Sequence, residues 1–238
     1  ASSSTNFTVS GLTAGTPYEF YVRDSCGTGD VSLWEGPKIG VTTCASALSG
    51  TYTIGGTSAN FATFEEAAQA LNVCGVSGPV TLNVQPNASG TPYTGSFHLL
   101  GVPGLYSGVP GASITNTITV NGGGATLDFN QQGPQATVLI DSTDYVTIDN
   151  LTITNNAASE GWGILVTNDA DHFTLTNSVV ATDSSGAFRG DVSPIAISSD
   201  YENDQSFGSA VDSVTIENCH LVGGYYGLTY YGNSTVQN

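Results

Sequence analysis

A strand-like phrase occurs three times in this sequence, and an asparagine stands at the same place in each copy. The segments DYVTIDNLTITN, DHFTLTNSVVAT and DSVTIENCHLVG begin at Asp144, Asp171 and Asp212. Apolar residues alternate with polar ones in each copy, which is the pattern of a half-buried β-strand. Recurrence of such a unit at a spacing of roughly 20 to 50 residues indicates a solenoid, whose coils are stable only when stacked on one another. The sequence therefore predicts a stack of β-coils.

The asparagine of each phrase marks a bend between two short strands. Apolar residues alternate up to Ile148 and resume at Leu151, so the period of two is broken at Asn150. Stacked coils place equivalent asparagines above one another, where each amide can donate to the next. A weaker upstream copy, Val120-Asn121-Gly122, ends in glycine instead. The expected asparagine ladder consists of Asn150, Asn177, Asn218 and Asn238.

One segment upstream of the repeats has the pattern of a helix. Thr63 and Glu66 have the spacing of a capping box, and Gly75 is a helix terminator. The apolar residues at helical spacing between them are Phe64, Ala67, Ala68, Leu71 and Cys74. Cys74 is interpreted as a small apolar residue on this face. A helix directly before a repeat array is expected to cap the first coil.

Charge and composition limit the partners. The 238 residues include three basic and 20 acidic ones, which gives a formal net charge of −17. Because nucleic-acid binding needs Lys and Arg to displace counterions from phosphate, no nucleic-acid partner is expected, and anionic membrane surfaces are disfavoured for the same reason. No apolar run is long enough to cross a membrane, so no membrane insertion is expected. The 30 glycines and the many Ser, Thr and Asn residues are typical of an all-β extracellular protein.

The first 44 residues have a different pattern from the repeats. Short strand patterns in TNFTVSGL, PYEFYVRDSC and PKIGVTTC are separated by turn residues, and Trp34 lies in a connecting loop. Together these features resemble the last three strands of a fibronectin type III domain, in the variant found in secreted modular proteins of Bacteroidetes-type bacteria. The resemblance implies a Cys26–Cys44 disulfide, with two free thiols as the alternative. The first four strands of such a sandwich are missing, so we expect a fragment of a longer chain or strands supplied by another molecule.

The remaining four-fifths of the chain have a second resemblance. The phrases above, with the recurring segments ATVLIDS, WGILVTND and SPIAISSD, resemble the right-handed parallel β-helix of the pectate-lyase-like superfamily. The expected fold class is therefore all-β: a right-handed parallel β-helix with an N-terminal capping helix, preceded by a partial fibronectin type III sandwich. The expected boundaries are 1–44 for the partial sandwich, 45–78 for the linker and cap, and 79–238 for a β-helix that is truncated at its C-terminal end.

The residues of known enzymes with this fold are not found. Resemblance to lyases implies a basic catalytic residue beside a carboxylate-bound calcium, yet the β-helix region contains one basic side chain, Arg189. Resemblance to polygalacturonases implies paired Asp residues on one coil, Gly-His-Gly and Arg-x-Lys, and none of these occurs. No catalytic residue is assigned, although carboxylates from different coils could still form a pair. These carboxylates are Asp141, Asp169, Asp171, Asp200 and Asp204.

Three further groups of residues are candidates for binding or modification. Clustered oxygen ligands suited to calcium are Asp169, Asp171, Asp200, Glu202 and Asp204. An aromatic platform for sugars could be built from Tyr225, Tyr226, Tyr230 and Tyr231, although packing between coils is the alternative. Ser142 and Ser213 follow aspartate in a short pattern that resembles the O-glycosylation signal of the same bacterial group. No cofactor other than calcium is indicated.

These observations favour a non-enzymatic, extracellular structural or adhesive protein. It would be a piece of a modular cell-surface chain or a fibre subunit, and its two open ends could associate head-to-tail with other copies or with further domains of the same chain. One alternative is a polysaccharide-degrading lyase or hydrolase. Another is a carbohydrate-binding module.

Overall fold

The protein is described here by a computed structural model. It covers residues 8–12, 17–27, 29–42, 44, 46–87, 90–101, 107–129, 136–156, 161–183, 192–201 and 206–232. For Pro17, Ser25, Cys26, Ile39 and Val41 it gives the backbone only. The chain divides into two compact units, residues 1–46 and 47–238, and each is described by itself.

The described residues of the first unit form two small antiparallel sheets. Strands β1 (Pro17–Val22) and β4 (Glu35–Val41) form one, and β2 (Ser25–Gly27) and β3 (Asp30–Val31) form the other. Trp34 is 59% exposed, and the Arg23 guanidinium carbon lies 4.5 Å from its ring centroid. The expected strand structure is present, and the expected fibronectin type III sandwich stays a prediction.

The second unit is a parallel β-solenoid, as the repeats predict. One sheet, the first sheet, contains β5 (Leu48–Ile54), β6 (Val76–Val84), β9 (Ile118–Asn121), β12 (Val146–Asp149), β15 (Thr174–Thr176) and β18 (Thr215–Glu217). The second sheet contains β7 (Tyr93–Thr94), β10 (Thr126–Phe129), β13 (Thr152–Asn155), β16 (Val179–Thr182) and β19 (His220–Val222). The third sheet contains β8 (Phe97–Leu99), β11 (Ala136–Asp141), β14 (Gly161–Thr167), β17 (Val192–Ile197) and β20 (Leu228–Tyr230). From β6 onward, each coil gives one strand to each sheet, so the described strands form five stacked coils.

Equivalent residues of successive coils are in register. Ile118, Val146 and Phe173 face inward and are fully buried, as are Ile148 and Leu175. The inward side chains of all three sheets form one continuous hydrophobic core. Burial of apolar surface between coils supplies the main driving force for stacking.

The predicted helix α1 (Phe64–Cys74) covers the first coil. The Thr63 hydroxyl accepts a hydrogen bond from the Glu66 amide at 3.2 Å, and the Glu66 carboxylate accepts one from the Ala62 amide at 2.6 Å. Gly75 ends the helix with φ 65°, and its N–H donates to the Leu71 carbonyl. The face predicted to be apolar is buried through Phe64, Ala67, Ala68 and Leu71.

The cysteines differ from their expected states. Cys74 is disulfide-bonded, so its interpretation as a simple apolar residue is wrong. Cys44 is also disulfide-bonded, and Cys219 carries a free thiol. The predicted Cys26–Cys44 bond involves a side chain outside the described residues. It fits these states poorly, because it would leave the bonded Cys74 without a partner.

Candidate functional site

The asparagine bends are shaped by backbone geometry. Asn150, Asn177 and Asn218 have φ between 50° and 53°, and each lies between a strand of the first sheet and one of the second. This left-handed region is disfavoured for most residues, and asparagine tolerates it because its short side chain can hydrogen-bond locally. All three side chains are solvent-exposed. The bend was predicted, and the backbone explains the asparagine better than a buried amide does.

The predicted asparagine ladder forms only in part. The Asn218 amide donates to the Asn177 side chain at 3.5 Å, but the Asn177 amide donates to the Asp149 carboxylate at 2.7 Å and not to Asn150. Asn238 lies outside the described residues. An amide pair that the sequence reasoning missed joins Asn121 to Asn83 at 2.9 Å, one strand position before the bend. Its signal was the upstream copy Val120-Asn121-Gly122.

The first residues of the three phrases form an aspartate column, defined as Asp144, Asp171 and Asp212. The Asp144 carboxylate accepts the Asp171 amide at 3.0 Å, and the Asp171 carboxylate accepts the Asp212 amide at 2.6 Å. Burial raises the pKa of Asp171, and the nearby charges of Asp169, Asp144 and Asp212 raise it further, against the effect of the Asp212 amide. The Asp144 and Asp171 carboxylates therefore join consecutive coils.

An aromatic pair lies directly beside the aspartate column. The rings of Tyr145 and His172 stack with centroids 4.4 Å apart and planes inclined by 15°. Both residues have φ 56°, and Ser213 occupies the next position with φ 58°. The corner between the third and first sheets thus repeats one backbone conformation in three coils.

A buried polar cluster surrounds Asp141 at the end of β11. This fully buried carboxylate accepts the Ser142 hydroxyl at 2.8 Å, the Asn168 amide at 3.0 Å and the Tyr201 hydroxyl. Thr167 pairs in register with Asp141, and its buried hydroxyl has no hydrogen-bond partner among the residues that the structure describes. Because Asp141 is sealed from solvent and saturated with donors, this arrangement suits a structural anchor better than a catalytic acid.

Those predicted calcium ligands that the structure describes do not form a cluster. Across the described ranges, no group of three or more His, Cys, Asp and Glu side chains could hold a metal ion. Asp171 belongs to the aspartate column, and the Asp200 carboxylate accepts the Ser206 hydroxyl at 3.4 Å. Glu202 and Asp204 lie outside the described residues.

The two predicted O-glycosylation sites differ in accessibility. The Ser142 hydroxyl is bonded to Asp141 and its residue is half-buried, whereas Ser213 is exposed. Both residues have positive φ and lie at the corner before the first sheet. Ser213 is therefore the more solvent-accessible of the two predicted glycosylation sites.

The four predicted sugar-binding tyrosines do not share one plane. The rings of Tyr225 and Tyr226 are 52% and 46% exposed, and they meet at 89° with centroids 4.7 Å apart. The ring of Tyr231 packs edge-to-face on Phe207. Tyr230 is 54% exposed, and its hydroxyl donates to the Val211 carbonyl at 3.2 Å. A sugar could stack on an individual ring, but no flat platform is formed.

An apolar groove of about 380 Å³ lies on the fifth coil. Its apolar lining consists of Ile197, Val211, Val214, Ile216, Leu228 and the ring of Tyr230. Asp212 and Ser213 also contribute, so the groove adjoins the aspartate column. This groove was not predicted, because no motif distinguishes the core positions of the fifth coil from those of the others.

Comparison with known proteins gives no relative for this chain. No family model, no curated protein and no solved structure matches it at a significant level. Among the helices that the structure describes, none is long and apolar enough to span a membrane.

Proposed function

We propose that this chain is a structural or adhesive segment of an extracellular, cell-surface protein. It would belong to a larger modular chain or serve as a fibre subunit. The observation that carries this proposal is the use of the polar residues at the coil corners. The Asp144 and Asp171 carboxylates each accept a backbone amide of the next coil, and Asp149 accepts the Asn177 amide. Side chains that could serve chemistry are thus occupied in stacking coils.

The same proposal includes the handedness of the solenoid, the nature of the first unit and the character of the surface. We take the solenoid to be wound in the right-handed sense, because crossovers between parallel strands overwhelmingly adopt that hand. The first unit would be part of a fibronectin type III-like module, as in Bacteroidetes-type surface proteins. A net charge of −17 supports an extracellular, soluble and self-repelling surface.

The test of this role has three readouts. Antibodies raised against the chain should label intact source cells from outside, and deletion of the gene should weaken attachment of those cells to a surface. The purified chain should release no reducing ends or unsaturated products from a panel of neutral and acidic polysaccharides. Turnover of any of these polymers by the purified chain would contradict the proposal and favour the enzymatic alternative.

The exposed tyrosines support carbohydrate binding as a second candidate function. Rings such as that of Tyr226 present an apolar face suited to sugar stacking. Tyr226→Ala should then weaken retention in affinity electrophoresis on a bound glycan. Tyr21→Ala is a matched control, because Tyr21 lies in the first unit and is similarly exposed, at 48%. Equal retention of both variants would exclude this use of Tyr226.

A further inference from the structure

Threonines in register cross the outer face of the first sheet. Each strand of this sheet contributes one threonine, and the pairing of the strands places these residues side by side. Their neighbours along the strands, such as Val80 and Leu82, face the core, so the threonines point outward. We call this set the threonine row, and its members are Thr51, Thr81, Thr119, Thr147, Thr174 and Thr215.

The hydroxyls of the threonine row take no part in joining the coils. Within the described ranges, none of the six makes a hydrogen bond to another protein group. The column of residues two positions further along each strand is engaged. There the Asn121 amide donates to the Asn83 side chain at 2.9 Å, and the Thr176 hydroxyl donates to the Asp149 carboxylate at 2.7 Å. Polar contacts between coils are thus made beside the threonine row, and its own hydroxyls stay available to a partner.

The threonine row presents its side chains in fixed positions. Thr51 and Thr215, at its two ends, are exposed, and the four threonines between them are half-buried. A β-branched side chain is restricted at χ1, so each methyl and each hydroxyl keeps one main direction. Because adjacent strands lie about 4.8 Å apart, six strands present an array about 24 Å long. Sheets held by stacking and side-chain ladders are also flatter than ordinary twisted sheets.

The chemistry of the threonine row restricts the kind of partner it fits. None of its members is charged, although the chain carries a net charge of −17. A hydroxyl both donates and accepts hydrogen bonds, and the methyl beside it is apolar. A matching partner is therefore uncharged, offers donors and acceptors together, and repeats at nearly the spacing of β-strands. Ice has all three properties, because each of its molecules donates and accepts and the oxygen rows on its faces repeat at a distance close to the strand spacing.

We propose that the threonine row binds the surface of ice. Each hydroxyl takes the place of a water molecule of the lattice, and the methyl groups lie between neighbouring lattice positions. Because the array is already formed before binding, little conformational entropy is lost when it meets the crystal. The inference goes beyond the proposed adhesive role and does not rest on it.

The test measures incorporation of the purified full chain into slowly growing ice. Thr147→Tyr puts a large ring in the middle of the row and should reduce incorporation several-fold, because the ring holds the lattice away from the neighbouring threonines. Thr147→Ser keeps the hydroxyl but removes the methyl and frees χ1, so it should give a smaller loss. Inhibition of ice recrystallisation is the second readout and should fall in the same order.

Thr152→Tyr is the matched control for the bulky substitution. Thr152 is also a half-buried strand residue, but it lies on the second sheet. This variant should enter ice as the parent chain does. Circular dichroism and Tm show whether each protein is folded. Because the parent chain and Thr147→Ser are measured as well, the proposal can fail even where Thr147→Tyr does not fold.

Three results would overturn the proposal. One is exclusion of the parent chain from ice to the same extent as an unrelated acidic protein. Another is equal incorporation of folded Thr147→Tyr and parent, which would place the contact with ice elsewhere. The third is binding of the parent to crystalline cellulose, or its dimerisation, that is lost in Thr147→Tyr while no protein enters ice. That result would assign the row to a polysaccharide or to a second copy. None of the three bears on cell labelling or attachment, so failure here is distinguishable from failure of the proposed function.

Discussion

At the scale of single residues, the repeated asparagine is explained by the bend it occupies. The bend requires φ near 50° at one residue per coil, and the two-residue connection then returns the next side chain to the core. Leu151, Ser178 and Cys219 follow the three asparagines and face inward. Ser178 donates to the Thr176 carbonyl at 2.7 Å, and Cys219 lies 3.2 Å from the equivalent Glu217 carbonyl. The inward position after each asparagine therefore accommodates a small hydrogen-bond donor as well as leucine.

Replacement of Asn177 separates backbone strain from side-chain bonding. Asn177→Ala should destabilise the protein by roughly 1–2 kcal/mol, because alanine is strained in the left-handed region, with a further loss from the missing bond to Asp149. Asn177→Gly loses the same bond without the strain and should cost less. Urea unfolding measures both. Equal losses in the two variants would show that backbone strain does not determine the choice of asparagine.

At the scale of elements, the corner before the first sheet carries the polar contacts between coils. The aspartate column gives this corner a carboxylate in each of three consecutive coils. Stacked like charges oppose one another, and backbone amides offset that repulsion only in part. The pKa of Asp171 is accordingly raised, first by burial and then by its acidic neighbours.

The raised pKa of Asp171 predicts the direction of a pH effect. A group whose pKa is higher in the folded than in the unfolded state contributes stability at low pH, and this contribution is lost as pH rises through the folded pKa. Asp171→Asn keeps an oxygen that can accept the Asp212 amide and removes the charge. The variant should have a higher Tm than the parent at pH 7, and the difference should shrink as pH falls towards 4.

The variant should be measured against its parent at every pH, because other groups titrate as well. Burial lowers the pKa of His98, which bonds the Ala136 carbonyl, and this group loses its stabilising contribution as pH falls. That loss is common to both proteins and cancels in the difference. Asp171→Ala is the second control, because it removes the acceptor along with the charge. A Tm difference between Asp171→Asn and parent that is constant from pH 7 to 4 would contradict this account.

The sequence predicts those parts of the structure that depend on the spacing of apolar and capping residues within a short segment. Inward positions such as Val146 and Ile148, the bend at Asn150 and the cap at Thr63 each depend on neighbours within a few residues. Contacts between coils could not be predicted in the same way, because they depend on register between strands 27, 38 or 41 residues apart. The Asn83–Asn121 pair and the aspartate column belong to this second class. Asp144, Asp171 and Asp212 did stand at the head of each phrase, so their signal was present but was not interpreted.

At the scale of the whole molecule, a helix caps the first coil, and among the described residues the inward side chains of the fifth coil are less buried than those of the fourth. The same substitution should therefore have different effects in successive coils. Leu175→Ala should cost about 2–5 kcal/mol, because Leu175 is fully buried and its removal leaves a cavity. Ile216→Ala, in register with it on the half-buried fifth coil, should cost roughly half as much or less. Equal losses would mean that the fifth coil is covered as completely as the fourth.

Register between coils is the central claim, and the threonines on the outer face of the first sheet allow it to be measured. Thr147, Thr174 and Thr215 are in register on consecutive strands, 27 and 41 residues apart along the chain. Adjacent strands lie about 4.8 Å apart, so residues on neighbouring strands are within reach of a short thiol cross-linker and those two strands apart are not.

The decisive measurement is intramolecular cross-linking of three double-cysteine variants at these positions, made in a background where Cys219 is replaced by serine. We predict efficient cross-linking of Thr147→Cys with Thr174→Cys and of Thr174→Cys with Thr215→Cys, and little for Thr147→Cys with Thr215→Cys. Equal efficiency for all three pairs, or cross-links only between molecules, would contradict the stacked solenoid.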